Sequence, residues 1–170
     1  MQPDISIIRQ FTGNLGRECT IRQISKLIEK SYAFTNNHVR KLIDSRVLNK
    51  KVVGNAILCS LNLSNEKVIG LLINASIEKR EEFLAGNEGL AAKVKEIIDL
   101  AWEEISSIII VDEKISLLCD DELKHDIVLE KLNKFNVNVL NNADFISLVK
   151  ENLAKVVCVY GYEKMWRLVK

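Results

Sequence analysis

Residues 35–61, TNNHVRKLIDSRVLNKKVVGNAILCSL, contain a change of period on which the reading of the first half turns. Val39, Leu42, Ile43 and Val47 recur at three- and four-residue spacing, the stripe of an amphipathic helix. Thr35 is the N-cap candidate at its start. The other face carries Asn36, Asn37, His38, Arg40, Lys41 and Ser45. Such side chains can reach base edges and phosphates, and Asn and Arg can each make paired contacts with a purine edge. The period then shifts. LNKKVVGNAILCSLN, residues 48–62, reads as two short strands joined at Gly54-Asn55, with Lys50 and Lys51 on the first strand.

Upstream, Pro3 and Asp4 suit the first turn of a helix, because Pro lacks the N–H that is orphaned there. Ile5, Ile7, Ile8 and Phe11 supply its apolar face, and Gly13, Asn14 and Gly16 end it. Arg17 to Thr20 reads as a short extended stretch. Thr20, with Gln23 three residues on, forms a capping box for a second helix whose apolar face is Ile21, Ile24, Leu27 and Ile28. Arg22, Lys26 and Lys30 are explained equally well as the solvated side of that helix. Tyr32 to Phe34 read as a turn. Three helices, the third polar and basic, followed by a basic hairpin, resemble a winged helix-turn-helix domain, which sets its third helix in the major groove and lays the hairpin beside it. The resemblance implies a DNA-binding set of Thr35, Asn36, Asn37, His38, Arg40, Lys41, Arg46, Lys50, Lys51 and Asn55. His38 is the weakest member, since a histidine near a helix start needs no special role.

Charge divides at the same place. Residues 1–62 carry ten Lys and Arg against four Asp and Glu, a net of +6, whereas residues 63–170 carry fourteen against nineteen, a net of −5. The formal +1 of the whole chain hides a basic module joined to an acidic one. A basic module of this kind suits a polyanionic partner.

In the second half, Ser64 can cap a helix running through Val68, Ile69, Leu71, Leu72 and Ile73. That segment is apolar on nearly every side. It is therefore expected to be buried, either against a second copy or against the chain's own C-terminal domain. Residues 88–105 form the clearest helix, with Leu90, Val94, Ile97, Ile98 and Ala101 as its stripe. IIIV at 108–111 and KISLLC at 114–119 are buried strands linked tightly by Asp112-Glu113. An amphipathic helix follows through Leu123, Ile127, Leu132 and Phe135. A strand at 136–140, a helix from Ala143, a strand at 156–161 and a closing helix complete the order α-β-β-α-β-α-β-α. Trp102 and Trp166 are expected in the core.

The segments IEKREEFL (77–84), WEEISSIIIV (102–111) and NVNVLNNADFISLVKENLAKVVCVYGYEKMWRLV (136–169) are similar to the small nucleotidyltransferase-like domains of archaea, which a winged helix often precedes. The resemblance implies a Gly-Ser pair after the first strand and two aspartates one residue apart on the next, to hold nucleotide phosphates and Mg²⁺. Neither is present. The strands end IIIVDEK and KISLLCDD. Asp120 and Asp121 are adjacent and are expected to open the following helix. No catalytic residue and no metal ligand carry over.

The expected fold class is α+β: a winged helix-turn-helix at 1–63, a connector helix at 64–86 and an α/β domain with a small mixed sheet at 87–170. The expected function is a transcriptional regulator that binds double-stranded DNA as a homodimer. Its non-catalytic C-terminal domain would serve dimerisation or the sensing of a ligand or partner. The alternatives are a divergent Mg²⁺-dependent nucleotidyltransferase, in which Asp112, Asp120 and Asp121 become ligands, and a protein-interaction adaptor. No cofactor and no metal are expected. The four cysteines, Cys19, Cys59, Cys119 and Cys158, form no C-x-x-C pair and read as reduced thiols, Cys19 being the more exposed. No run of about 18 apolar residues suggests a membrane span. The N-terminus lacks the features of a secretory signal, so the cytoplasm is the expected location.

Overall fold

In a computed structural model the chain is described from residue 2 to residue 170. The described residues form eight helices and two sheets in an α+β arrangement, as the sequence patterns lead one to expect. The chain divides into two compact units, one running to Ala75 and including Lys170, the other spanning Ser76–Val169.

The first unit contains α1 (Pro3–Arg9), β1 (Cys19–Thr20), α2 (Ile21–Leu27), α3 (Tyr32–Asp44), β2 (Leu48–Val53) and β3 (Ala56–Leu61). The strands form an antiparallel sheet in the order β1-β3-β2. Ile7, Ile8, Phe11, Ile24 and Val39 are fully buried. At about 25 cal/mol per Å² of apolar surface, burial of such side chains is the main favourable term in forming this module. The capping box is present: Thr20 Oγ1 accepts from Gln23 N at 3.1 Å, and Gln23 Oε1 accepts from Thr20 N at 2.8 Å. The hairpin turns at Gly54-Asn55, where Gly54 takes φ +56°, a value open to glycine because it has no Cβ.

Three expectations for this unit are corrected. The third helix starts at Tyr32, not after Thr35, because Ser31 caps it by accepting from Phe34 N at 3.2 Å. Thr35 is therefore one turn inside, wholly buried, and donates its hydroxyl to Ser31 O at 3.0 Å. Leu27, the last residue of α2, is 44% exposed and leaves the core to Ile21 and Ile24. Cys19 is buried, since the β1–β3 register sets it opposite Cys59 on the inner side of the sheet.

Helix α4 (Glu66–Ala85) begins one residue later than the Ser64 cap allows. Asn65 makes the cap, accepting from Lys67 N at 3.0 Å, while its amide donates to the carbonyls of Ser45 and Arg46. Val68, Ile69, Leu72 and Ala75 are buried within the chain. Leu71 and Ile73 of the same apolar run are half-buried.

The second unit continues with α5 (Glu88–Ala101), β4 (Ser107–Val111), β5 (Lys114–Leu118), α6 (Glu122–Lys131), β6 (Val137–Leu140), α7 (Asn142–Glu151), β7 (Val157–Tyr160) and α8 (Tyr162–Val169). Its sheet is mixed, in the order β6-β5-β4-β7, with β5 and β6 parallel and the other pairs antiparallel. Every residue of β4 is buried, which explains its unbroken apolar run, because a central strand is covered on both faces. Asp112 and Glu113 make the two-residue β4–β5 link with φ +47° and +65°, the left-handed pair whose twist suits a tight hairpin.

Trp166 lies in the core and donates its indole N–H to Ser76 Oγ at 2.9 Å. Trp102 does not: it is the C-cap of α5, 58% exposed, a rotation of about 100° beyond Ala101 on the buried stripe. The inward stripe of α6 is corrected in part, since Leu132 is buried and Phe135 packs on the core as expected. Leu123 and Ile127 are exposed, whereas Val128 and Leu132 are buried. Both pairs have equivalent helical spacing, and packing on the sheet selects the second.

Candidate nucleic-acid interface

Helix α3 has two sides with different chemistry. Val39 and Leu42 are buried with Thr35. Ala33, Asn37, Arg40 and Asp44 are exposed, and steps of four, three and four residues align them on one face. Lys41 is exposed on one flank of that face. Asn36 is half-buried on the other and accepts from Arg40 Nε at 3.3 Å, a link between adjacent turns that fixes the guanidinium root. Asn37 and Arg40 therefore stand on adjacent turns of one exposed face. Asp44, which sequence reading passed over, closes the face with a carboxylate; its signal was the spacing to Arg40 and Asn37.

His38 faces elsewhere. Its Nδ1 is 3.0 Å from Asp4 Oδ1 on α1, and its ring lies 4.7 Å from that of Phe34. The side chain belongs to the packing of α1 against α3. Thr35, buried inside the helix, is likewise not on the exposed face.

The hairpin divides its lysines. Paired residues on adjacent strands share a sheet face, and successive residues alternate. Lys50 pairs with Cys59, so it projects on the face whose inner part holds Cys19 and Cys59. Lys51 pairs with Leu58 on the opposite face, where its Nζ is 4.0 Å from Glu18. Asn55 is at the hairpin tip. Arg46 sits in the turn after α3 with φ +58°, and the side chains of Asn62 and Asn65 bond its carbonyl at 2.8 and 2.9 Å. The structure thus places Asn36, Asn37, Arg40 and Lys41 on one helix surface and Lys50 and Asn55 on the hairpin, and sets Thr35, His38 and Lys51 apart from them.

Cys59 lies beneath the hairpin and is uncharged at neutral pH. Burial, reinforced by the neighbouring Cys19, pushes the Cys59 thiol up to about 11. All four cysteines are free and buried.

In the second unit, the carboxyl ends of parallel β5 and β6 open into a cavity of about 600 Å³ whose lining includes Asp120, Asp121, His125, Asn142 and Asp144. Asp120 and Asp121 have partners within the chain. Asp121 caps α6 by accepting from Leu123 N at 2.9 Å, as expected for acidic residues that open a helix. Asp120 accepts from Ser106 Oγ at 2.6 Å and pairs with Lys164 at 2.9 Å. Asp112 lies beyond the other end of β5 and pairs with Lys155 at 3.0 Å, so the three aspartates do not converge. Among the described residues no group of three His, Cys, Asp or Glu side chains could hold a metal ion.

Burial by itself would raise the pKa of Asp120. The hydrogen bonds from Ser106 and Lys164, and the lysine's charge, outweigh it and hold the group below its ordinary 3.8. A carboxylate lowered in the folded state contributes stability that is complete above the unfolded value and is lost as pH falls through the folded one. Asp120→Asn should therefore flatten the loss of stability below about pH 4. Urea melts from pH 7 to pH 2.5 check this, and identical acid slopes for the variant and the parent protein would refute it.

No family model matches the chain, and no curated protein matches it. Neither comparison supports the likeness of residues 87–170 to nucleotidyltransferase-like domains. Among solved structures the chain is similar to Sso10a-2, a DNA-binding protein from Sulfolobus solfataricus, at 19% identity over 56% of this chain and 93% of that one, with a TM-score of 0.34. A likeness at that score carries no argument about this chain. Among the described residues no helix is long and apolar enough to cross a membrane.

Proposed function

We propose that the chain is a DNA-binding transcriptional regulator whose first unit docks α3 in the major groove of duplex DNA. The observation that carries this reading is the exposed face of α3, where Asn37 and Arg40 lie on adjacent turns with Lys41 beside them. A helix fits the major groove, and paired amide and guanidinium donors match purine edges there. The net charge of +6 on residues 1–62 supports the reading, because phosphate neutralisation supplies most of the non-specific affinity. Lys50 extends the cationic surface onto the hairpin. The second unit, on this proposal, serves dimerisation or the sensing of a ligand or partner, and the division of the chain at residues 63 and 86 belongs to the same reading.

A fluorescence-anisotropy titration of the whole chain with a labelled duplex of about 25 base pairs, repeated from 50 to 300 mM KCl, tests the proposal. Binding whose logarithmic affinity falls linearly with log salt is expected, and Lys50→Ala should make that slope shallower by about one unit. Absence of duplex binding at every salt concentration would overturn it.

A further inference from the structure

We propose that Cys19 and Cys59 are a site of reversible oxidation, closing into a disulfide across β1 and β3 that fastens the strand entering α2 to the hairpin. This modification does not depend on duplex binding.

Strand pairing places the two thiols together. Cys19 lies opposite Cys59 in the antiparallel β1–β3 register, and Thr20 opposite Leu58. Directly opposed residues project on the same sheet face, and both cysteines are buried there, 2% and 0% exposed. In an antiparallel pair such residues have Cα atoms about 4.5 or 5.5 Å apart, according to whether they exchange hydrogen bonds. Both separations lie inside the range of about 4.4–6.8 Å that a disulfide spans. Their Cβ atoms are about 4.5–5.5 Å apart, whereas a disulfide holds them at about 3.5–4.5 Å. Closure therefore draws the strands slightly together and leaves strain in the bond, the property of disulfides that are readily reduced again. Burial first, and then the neighbouring Cys19, raises the Cys59 pKa, so the two thiols already act on one another in the reduced chain.

The second unit provides the contrast. Cys119 follows the last residue of β5 and Cys158 lies on β7, with β4 between those strands. Two strand spacings amount to about 9.5 Å, beyond the ~7 Å across which Cα atoms can be bridged.

The oxidant is a small disulfide of the glutathione class. One cysteine thiolate attacks a sulfur of the oxidant, forming a mixed disulfide and expelling half of the oxidant as a thiolate. The second cysteine, deprotonated in turn, attacks the protein sulfur of the mixed disulfide and expels the other half. The chain loses two electrons and two protons, and the oxidant becomes two thiols. Access requires β1 to lift. That strand lies at the sheet edge and pairs over two residues, whereas β2 pairs over six, so it is the part of the sheet that opens most readily. The closed loop holds α2, α3 and β2 whole, and a cross-link around a long segment removes much of the freedom of the opened chain.

The test incubates the full chain with oxidised glutathione, alkylates the remaining thiols in denaturant, and maps the peptides by mass spectrometry. The chain mass should fall by about 2 Da, with Cys19 linked to Cys59 and with Cys119 and Cys158 alkylated. Dithiothreitol should restore four alkylated cysteines. Hydrogen exchange of the β1 and β3 amides should slow at least about tenfold on oxidation and recover on reduction. Cys19→Ala should show neither the link nor the slowing, and Cys119→Ala/Cys158→Ala, which leaves the site whole, should show both. Four alkylated cysteines after oxidation, a link to Cys119 or Cys158, or glutathione retained on Cys59 without closure overturns the assignment. A linked chain with unchanged exchange overturns the fastening. No readout involves DNA, so each of these failures leaves docking by α3 standing.

Discussion

Arg40→Ala should bind a preferred duplex, selected from a random pool, about ten- to a hundredfold more weakly than the parent chain. The estimate follows from about 1–3 kcal/mol of discrimination for a paired contact of Arg or Asn with a base edge. Two structural facts place Arg40 at the upper end. It stands at the centre of the exposed α3 face, next to Asn37, and its Nε is tied to Asn36 Oδ1 at 3.3 Å, so less side-chain freedom is lost when the guanidinium docks. Affinity for random duplex should fall only by the loss of one charge. Asn37→Ala should lower preferred-site affinity with almost no change in the salt slope, since an amide releases no counterion. Competition anisotropy with preferred and random duplexes measures both. Equal weakening on the two duplexes would show that Arg40 contacts phosphate and reads no base.

The largest stability effect is expected away from the interface. Gly161→Ala should destabilise the second unit by about 3 kcal/mol or more. Gly161 has φ +68°, where a side chain is strained, and a Cβ built there would lie 2.1 Å from Ser106 O and 2.7 Å from Ser107 Cα. Neither atom can yield readily. Both belong to the backbone entering β4, where Ser107 is buried and donates its hydroxyl to Tyr160 O at 2.9 Å. For a unit of this size each kcal/mol lowers the melting temperature by about 4–8 °C, so a fall of more than 10 °C is expected. Circular-dichroism melts of the variant provide the measurement. A melting temperature within about 3 °C of the parent would mean that the β4–β7 edge shifts at little cost.

Features with local causes are legible in the string of residues itself. The β4–β5 link at Asp112-Glu113 and the hairpin at Gly54-Asn55 are marked by residue type and by the apolar runs around them. The capping box at Thr20 and Gln23 lies within four residues, so its chemistry is visible in the same way. The charge asymmetry and the polar face of α3 are legible for the same reason. The start of α3 is not, because Ser31 and Thr35 are both competent caps one turn apart. The burial of Thr35 decides between them. Nor can α6 be oriented from its own residues. Leu123 with Ile127 and Val128 with Leu132 are equivalent stripes, and only the sheet surface beneath the helix distinguishes them.

The pattern of apolar, charged and turn-forming residues by itself determined the order of the elements, the α+β class and the cationic character of the first unit, since each depends on interactions within a few residues or on composition. The tertiary structure alone decided which side chains share a surface. It drew His38 to Asp4 across 34 residues, parted Lys50 from Lys51 through sheet pairing, set Cys19 opposite Cys59, and set Gly161 against Ser106. Those outcomes depend on contacts between segments distant in sequence, and no local period encodes them.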